Sequence, residues 1–178
     1  MKLEILGECF YSVAMLGLSL SYNQPIENMY EVALKLLKKG GSHVKFLESM
    51  VVALDITASR SWWQQEATYR IGITRQSEST EHTLLKRPVV REDFQYPIHP
   101  EQMKKINALI MVKNLEQAKN QLPEGFLQRR VVVTNYMTLR RMISQRRNHR
   151  GTEWKQFCRY ILDEVAYPEF LEVCCEVS

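Results

Sequence analysis

Apolar positions along the chain switch between a two-residue and a three-to-four-residue period, and each switch marks an element. Residues 2–7 alternate weakly and predict a first strand. Pro25 opens a helix whose stripe is Met29, Val32, Ala33, Leu36 and Leu37, and Lys38-Lys39-Gly40-Gly41 closes it. Met50, Val52, Leu54 and Ile56 alternate as a half-buried strand requires, and 58–66 reads as helical. Pro100 opens a further helix on Met103, Ile106, Leu109 and Ile110; Leu122-Pro123-Glu124-Gly125 is a turn. Val131-Val132-Val133 is a short β-branched strand, after which Thr134 or Asn135 can cap a helix. Between 74 and 100 the chain is polar, carries Pro88, Pro97 and Pro100 and shows no stable period. That length predicts a functional or mobile loop.

The helix after Asn135 buries Leu139, Met142 and Ile143, and Arg146 lies seven residues beyond Leu139 on the same stripe, whereas Arg140 and Arg141 lie off it. A guanidinium ending an apolar stripe calls for an anionic partner, because desolvating it alone is costly. Trp154, Phe157, Cys158, Ile161, Leu162 and Val165 then form a helix face that reads as core packing. Strands and helices mix without a βαβ rhythm or a glycine-rich strand–helix turn, which excludes Rossmann and P-loop sites. The pattern predicts a single α+β domain over 1–178, with a mostly antiparallel sheet packed with helices.

Composition changes this picture little, and charge changes it more. With 178 residues, 45% of them apolar, the chain can bury one good core. No apolar run approaches bilayer length, so membrane insertion is not expected, and Cys9, Cys158, Cys174 and Cys175 read as reduced thiols of a cytoplasmic protein. His43, His82, His99 and His149 show no metal-ligand spacing, and no metal site is expected. Net charge is +4, yet from Arg129 to Lys155 there are eight basic residues against Glu153 alone, and beyond Asp163 only acids follow. Such a block serves nucleic acid, a nucleotide phosphate or an acidic partner, or is a solvated helix face with local pairing. Nucleic acid fits least, because the basic residues divide between two helix faces and no aromatic residues interleave for base stacking.

The densest mixture of chemistry lies at 60–80, with Arg60, Trp62, Trp63, Gln64, Gln65, Tyr69, Arg70, Gly72, Arg75, Ser77, Ser79 and Thr80. Arginine forks bind phosphate, amides read a base edge, and aromatic faces stack on planar rings, so a nucleotide suits the set as well as an amphipathic helix with a polar loop does. Trp62 and Trp63 read as core packing ahead of ligand stacking.

Leu37-Lys38-Lys39-Gly40-Gly41-Ser42-His43-Val44-Lys45-Phe46-Leu47-Glu48, the following strand and then 63–80 resemble the core of the flavin-dependent thymidylate synthases. There a helix ending in Gly leads through a Phe-containing turn and a strand to the signature Arg-His-Arg, with Ser eight positions on. The second half is similar too: Leu122-Pro123, Arg129 six beyond the proline, Asn135 six further and Arg146 eleven further are spaced as in that family. The resemblance covers roughly 37–80 and 122–165. The tryptophans, with Tyr69-Arg70-Ile71-Gly72 and Gln76-Ser77-Glu78-Ser79-Thr80, also resemble bacteriophage proteins, which would act in the host cytoplasm.

The resemblance implies a deoxyuridylate (dUMP) site of Gln65, Arg70, Ser77 or Ser79, Arg129 and Arg146, with Asn135, Tyr69 and Glu48 at cofactor (FAD) positions, in a homo-oligomer, a tetramer. It implies transfer of a one-carbon unit to a pyrimidine C5 from a reduced flavin. Departures weigh against that chemistry. Thr68 and Tyr69 replace two signature residues, and Glu78 stands in the serine's place, where its carboxylate repels phosphate. Glu48 stands where the family has a flavin-contacting His. No catalytic residue is assigned. A nucleotide-binding protein without redox chemistry is therefore the companion reading.

Overall fold

Val52, Leu54 and Ile56 are each at most 1% exposed, so the alternation at 50–56 does form a strand, and that strand is internal to the sheet. The computed structural model describes residues 1–172, and the expectation for Cys174 and Cys175 lies outside them. The elements are β1 (Lys2–Cys9), α1 (Tyr11–Tyr22), α2 (Met29–Lys39), β2 (Val51–Ser59), α3 (Arg60–Glu66), β3 (Ile73–Ser77) and α4 (Thr80–Thr83). They continue with α5 (Pro100–Met111), α6 (Leu115–Gln121), β4 (Leu127–Asn135), α7 (Tyr136–Arg146) and α8 (Thr152–Glu164). Short 3-10 turns cover Ile26–Asn28, Gly41–Glu48, Leu84–Lys86, Arg91–Asp93 and Pro168–Phe170. The four strands form one antiparallel sheet in the order β1-β2-β4-β3, and the fold is α+β.

Three elements differ from the sequence pattern. The pattern has nothing to say of 11–22, yet α1 forms there; it is apolar on almost every side, so no polar face betrays its period. The 74–100 stretch is not structureless: it contributes most of β3 and all of α4. β3 is an edge strand of polar residues, which gives no alternation to read. A further helix, α6, follows α5 after a tight connection at Lys113 (φ 57°).

The chain forms two compact units. The first comprises residues 1–2, 56–68 and 76–131. Its core gathers Leu84, Val89, Phe94, Ile106, Ile110, Ala118 and Leu122, with Met103, Leu109 and Phe126 packed against them. Asn107 braces this core at the loop, accepting from the Val89 N–H (2.8 Å) and donating to its carbonyl (3.0 Å). Trp62 and Trp63 are 2% and 1% exposed and meet edge to face, and Trp63 Nε1 donates to the Gln128 carbonyl at 3.0 Å. They are core residues.

The second unit comprises residues 3–55, 69–75 and the chain from 132 onward. Here α1, α2 and α7 surround the Gly41–Glu48 turn, and α8 packs on α7. Tyr136 donates to Glu8, whose other oxygen accepts from the Ala166 N–H at 2.9 Å. Burial first, and the Glu8 bond second, push the Tyr136 hydroxyl well above its ordinary pKa. Cys158 is a buried free thiol pushed up to about 12 by burial, and Cys9 is an exposed one.

The arginine reading of α7 needs correction. Arg140, expected off the buried stripe, is buried, donating to the carbonyls of Phe170 (2.9 Å) and Leu37 (3.2 Å). Arg146 is only half-buried. The reason is that α7 is covered on more than one side: Tyr136, Thr138, Leu139, Arg140, Met142 and Ile143 are all buried, so a single stripe does not describe it. Two backbone carbonyls accept from the deepest guanidinium.

Candidate anion-binding site

In the second unit an arginine cluster forms around Tyr69. The Tyr69 side chain is 4% exposed, and its hydroxyl donates to Gln145 Oε1 at 2.9 Å and accepts from Arg146 Nε at 3.1 Å. Arg141 and Arg146 place their guanidinium carbons 5.5 and 5.8 Å from the Tyr69 ring centre, and Arg146 lies 5.1 Å from the Trp154 ring. Arg75 donates to the Tyr69 carbonyl, and Arg70 follows Tyr69 directly and is exposed. Aromatic faces attract cations without neutralising them, so the arginines keep their charge and terminal N–H donors. Among the described residues no carboxylate pairs with Arg70, Arg141 or Arg146. Arg146 is thereby held in one orientation with its outer nitrogens available, which is the arrangement that bidentate phosphate recognition needs.

The turn that carries Tyr69 and Arg70 is fastened to the start of α7. Asn135 caps α7 by accepting from the Thr138 N–H (2.9 Å), Thr138 donates its hydroxyl to the Ile71 carbonyl (3.0 Å), and Thr134 donates to the Gly72 carbonyl (3.0 Å). Gly72 sits at φ +71°, and a Cβ there would stand 2.7 Å from Thr138 Oγ1 and 2.8 Å from Asn135 Nδ2. No side chain other than hydrogen fits.

The remaining expected residues fall into separate places. In the first unit, Gln65 is half-buried on α3, Ser77 is exposed at the end of β3, and Arg129 is exposed on β4 with its carbonyl accepting from the Glu78 N–H at 3.0 Å. The Ser79 carbonyl accepts from the His82 and Thr83 N–H groups, so this residue opens α4. In the second unit, Glu48 is exposed at the end of its 3-10 turn and makes no hydrogen bond or ion pair among the described residues. Tyr69 and Arg146 come together. Arg141, set aside on helix geometry, joins them; no sequence signal marks it, because its partner ring comes from 72 residues away.

The residues at flavin positions differ in what they leave open. The Tyr69 hydroxyl and ring are enclosed by Gln145, Arg141, Arg146 and Trp154, and Glu48 offers only an isolated carboxylate. The Asn135 oxygen is engaged by its cap, while its Nδ2 group makes no hydrogen bond among the described residues. Among the described residues no three His, Cys, Asp or Glu side chains gather to hold a metal, and no helix is long and apolar enough to cross a membrane.

No protein-family model matches the sequence, and no curated protein matches it. Solved structures do. Thymidylate synthase X (ThyX) from Helicobacter pylori with FAD and dUMP superposes with a TM-score of 0.78 at 16% identity, covering 99% of each chain. A second structure of the flavin-dependent synthase from the same organism, complexed with FAD and dUMP, gives 0.80 at 15% identity over 98% of this chain and 99% of that one. The chain has the ThyX fold over its described length.

Proposed function

We propose that this protein binds a pyrimidine nucleoside monophosphate, with Arg70, Arg141 and Arg146 receiving the phosphate, and that it does so without flavin chemistry. The observation that carries this reading is Arg146 held against the Tyr69 and Trp154 rings, with no carboxylate among the described residues to neutralise it. The fold supports it, since the neighbours named above are complexes with dUMP. Against flavin chemistry stands the enclosed state of Tyr69, whose hydroxyl already bonds Gln145 and Arg146. In this reading the protein sequesters or senses a nucleotide, and the homo-oligomer implied by the family resemblance is retained.

The test is a thermal-shift comparison of dUMP, dCMP and dTMP with their nucleosides, on the wild type, Arg146→Ala and Arg141→Ala. A ligand that binds only the native state stabilises it by about 2.7 kcal/mol at a hundred times its Kd. The expected result is a shift larger for the monophosphate than for its nucleoside, with that difference lost in Arg146→Ala and reduced in Arg141→Ala. Equal shifts for dUMP and deoxyuridine, or a phosphate-dependent shift that survives Arg146→Ala, overturn the assignment.

A flavin-dependent C5 one-carbon transferase is the second reading. The fold alone favours it, and uptake of FAD decides it.

A further inference from the structure

The Tyr69 hydroxyl gives the hydrogen bonds of the second unit's arginine cluster a direction. Its single proton goes to Gln145 Oε1 at 2.9 Å, and its oxygen accepts from Arg146 Nε at 3.1 Å. The chain of bonds therefore runs from the Arg146 N–H through the phenol to the Gln145 oxygen. Gln145 is exposed on the last turn of α7, and its Nε2 group makes no hydrogen bond among the described residues. That group lies on the far side of the amide carbon from the buried phenol. Arg141, four residues earlier, shares its helix face.

The acceptors of this cluster are spent, and its donors are not. Gln145 Oε1 is taken by Tyr69, the Tyr69 oxygen by Arg146 and the Tyr69 carbonyl by Arg75. What remains is the two Nη groups of Arg146, the guanidinium groups of Arg141 and exposed Arg70, and Gln145 Nε2. Glu153, next to Trp154 on α8, is 5% exposed and is not offered to a ligand. Cys158, which feels the Arg146 charge, stays a thiol because burial pushes it up to about 12. His149 meets the Trp154 ring edge-on, with Nδ1 accepting from the Gly151 N–H at 3.0 Å. Any charge it gained would act on every bound anion alike.

A shell that only donates receives oxygens that carry no proton. A phosphate monoester offers three such oxygens as a dianion, whereas its monoanion keeps a P–O–H whose proton would face only N–H groups. A donor set against donors is left unpaired, which is costly. We propose that this all-donor shell, with Gln145 as its specificity-determining residue, takes an oxyanion ester only in its fully deprotonated form, a phosphate dianion or a sulfate ester. The inference rests on the phosphate reading above and adds the protonation state of the ligand that is bound. Gln145 decides it because its oxygen is turned inward to Tyr69 and its amide N–H groups outward. A carboxylate at this position would supply the missing acceptor.

The test is a calorimetric titration of the full chain with dUMP and with deoxyuridine 5′-sulfate, at about pH 5 and about pH 7.5, on either side of the second phosphate ionisation near pH 6. The sulfate ester has no proton to lose over this range. The expected result is a rise of about tenfold in dUMP affinity, because the dianionic fraction climbs from about one tenth to nearly all. The sulfate ester should change by less than about twofold, since nothing on it titrates. In Gln145→Glu the carboxylate accepts the P–O–H and repels the dianion. Its dUMP affinity at about pH 7.5 should fall at least about tenfold, and the rise with pH should vanish. A flat dUMP profile, an equal slope for the sulfate ester, or a wild-type slope in Gln145→Glu overturns the inference. If Gln145→Glu does not fold, the two esters on the wild type still decide. Binding of neither ester at about pH 7.5 overturns the phosphate reading as well, whereas dUMP binding with a flat profile overturns this inference alone.

Discussion

Arg146 Nε donates to the Tyr69 hydroxyl at 3.1 Å across 77 residues of chain, and the same guanidinium lies against both the Tyr69 and Trp154 rings. This contact fixes the direction in which the remaining arginine donors point. Tyr69→Phe keeps the ring but removes the hydroxyl that bonds both Gln145 and Arg146. A loss of about 1–2 kcal/mol of stability is expected, measurable by urea unfolding, because a buried partner loses its hydrogen bond. dUMP affinity should fall with it, while Tyr69→Leu, which also deletes the ring face, should cost more on both counts. Equal dUMP affinity in the wild type and Tyr69→Phe would show that the phenol does not orient Arg146.

Gly72→Ala is expected to be among the most damaging single-methyl additions in the chain. It combines a left-handed φ of +71° with contacts of 2.7 and 2.8 Å to Thr138 and Asn135, whereas Gly41, at φ +57°, has open space around it. About 1 kcal/mol for Gly41→Ala and about 2–4 kcal/mol for Gly72→Ala follow from conformation alone and from conformation plus overlap. Thermal or chemical unfolding of the two variants side by side checks the ranking.

The Tyr69 neighbourhood also shows where the sequence stops being readable. The alternation at Met50, Val52, Leu54 and Ile56 reports β2 directly, because one physical cause, burial of alternate residues, produces it. Asn135 as a helix cap is equally local. Arg146 was legible as unusual but not for the right reason: the buried guanidinium is Arg140, and Arg146 rests on two rings that no spacing rule connects to it. α1 escaped because Val13, Leu16 and Leu20 are apolar yet 54%, 50% and 75% exposed, so period and burial disagree there.

Asp93 should make stability depend on pH. Burial alone would raise its pKa, but the bonds from Arg87 and the Val90 N–H, with the Arg87 charge, outweigh burial and hold it below its ordinary value of 3.8. A carboxyl lowered in the folded state contributes stability that is present above that ordinary value and is lost as pH falls through the folded one. The difference in unfolding free energy between the wild type and Asp93→Asn should therefore be flat from neutral pH down to about 5 and shrink below about 4. At neutral pH it should be about 1–2 kcal/mol, modest because Arg87 is mostly exposed. A difference that grows on acidification would contradict the assigned role.

The exposed Val13, Leu16 and Leu20 lie on one side of α1 with Gly17 among them, and α1 carries no charged residue from Tyr11 to Tyr22. A helix apolar on this many sides is ordinarily covered. If the proposed homo-oligomer uses this face, Leu16→Glu with Leu20→Glu should lower the mass measured by light scattering without loss of helical signal. An unchanged mass would place the subunit contact elsewhere.

Flavin binding gives the sharpest division between the two functional readings. A bound isoalloxazine needs donors aimed at its ring edge and a face on which to lie. The Tyr69 hydroxyl is already engaged twice, and Glu48 would add negative charge near an anionic cofactor. Purified protein incubated with FAD and desalted should therefore show no visible flavin absorbance, while retaining the dUMP-dependent thermal shift. Tyr69→His with Thr68→Arg restores the Arg-His-Arg triplet on paper, yet the crowding from Arg141, Arg146 and Trp154 is unchanged, so FAD should still be absent. Retention of yellow colour by the unmodified chain would reinstate the transferase reading, and retention only by the double variant would show that the triplet alone, and not its surroundings, excludes the cofactor.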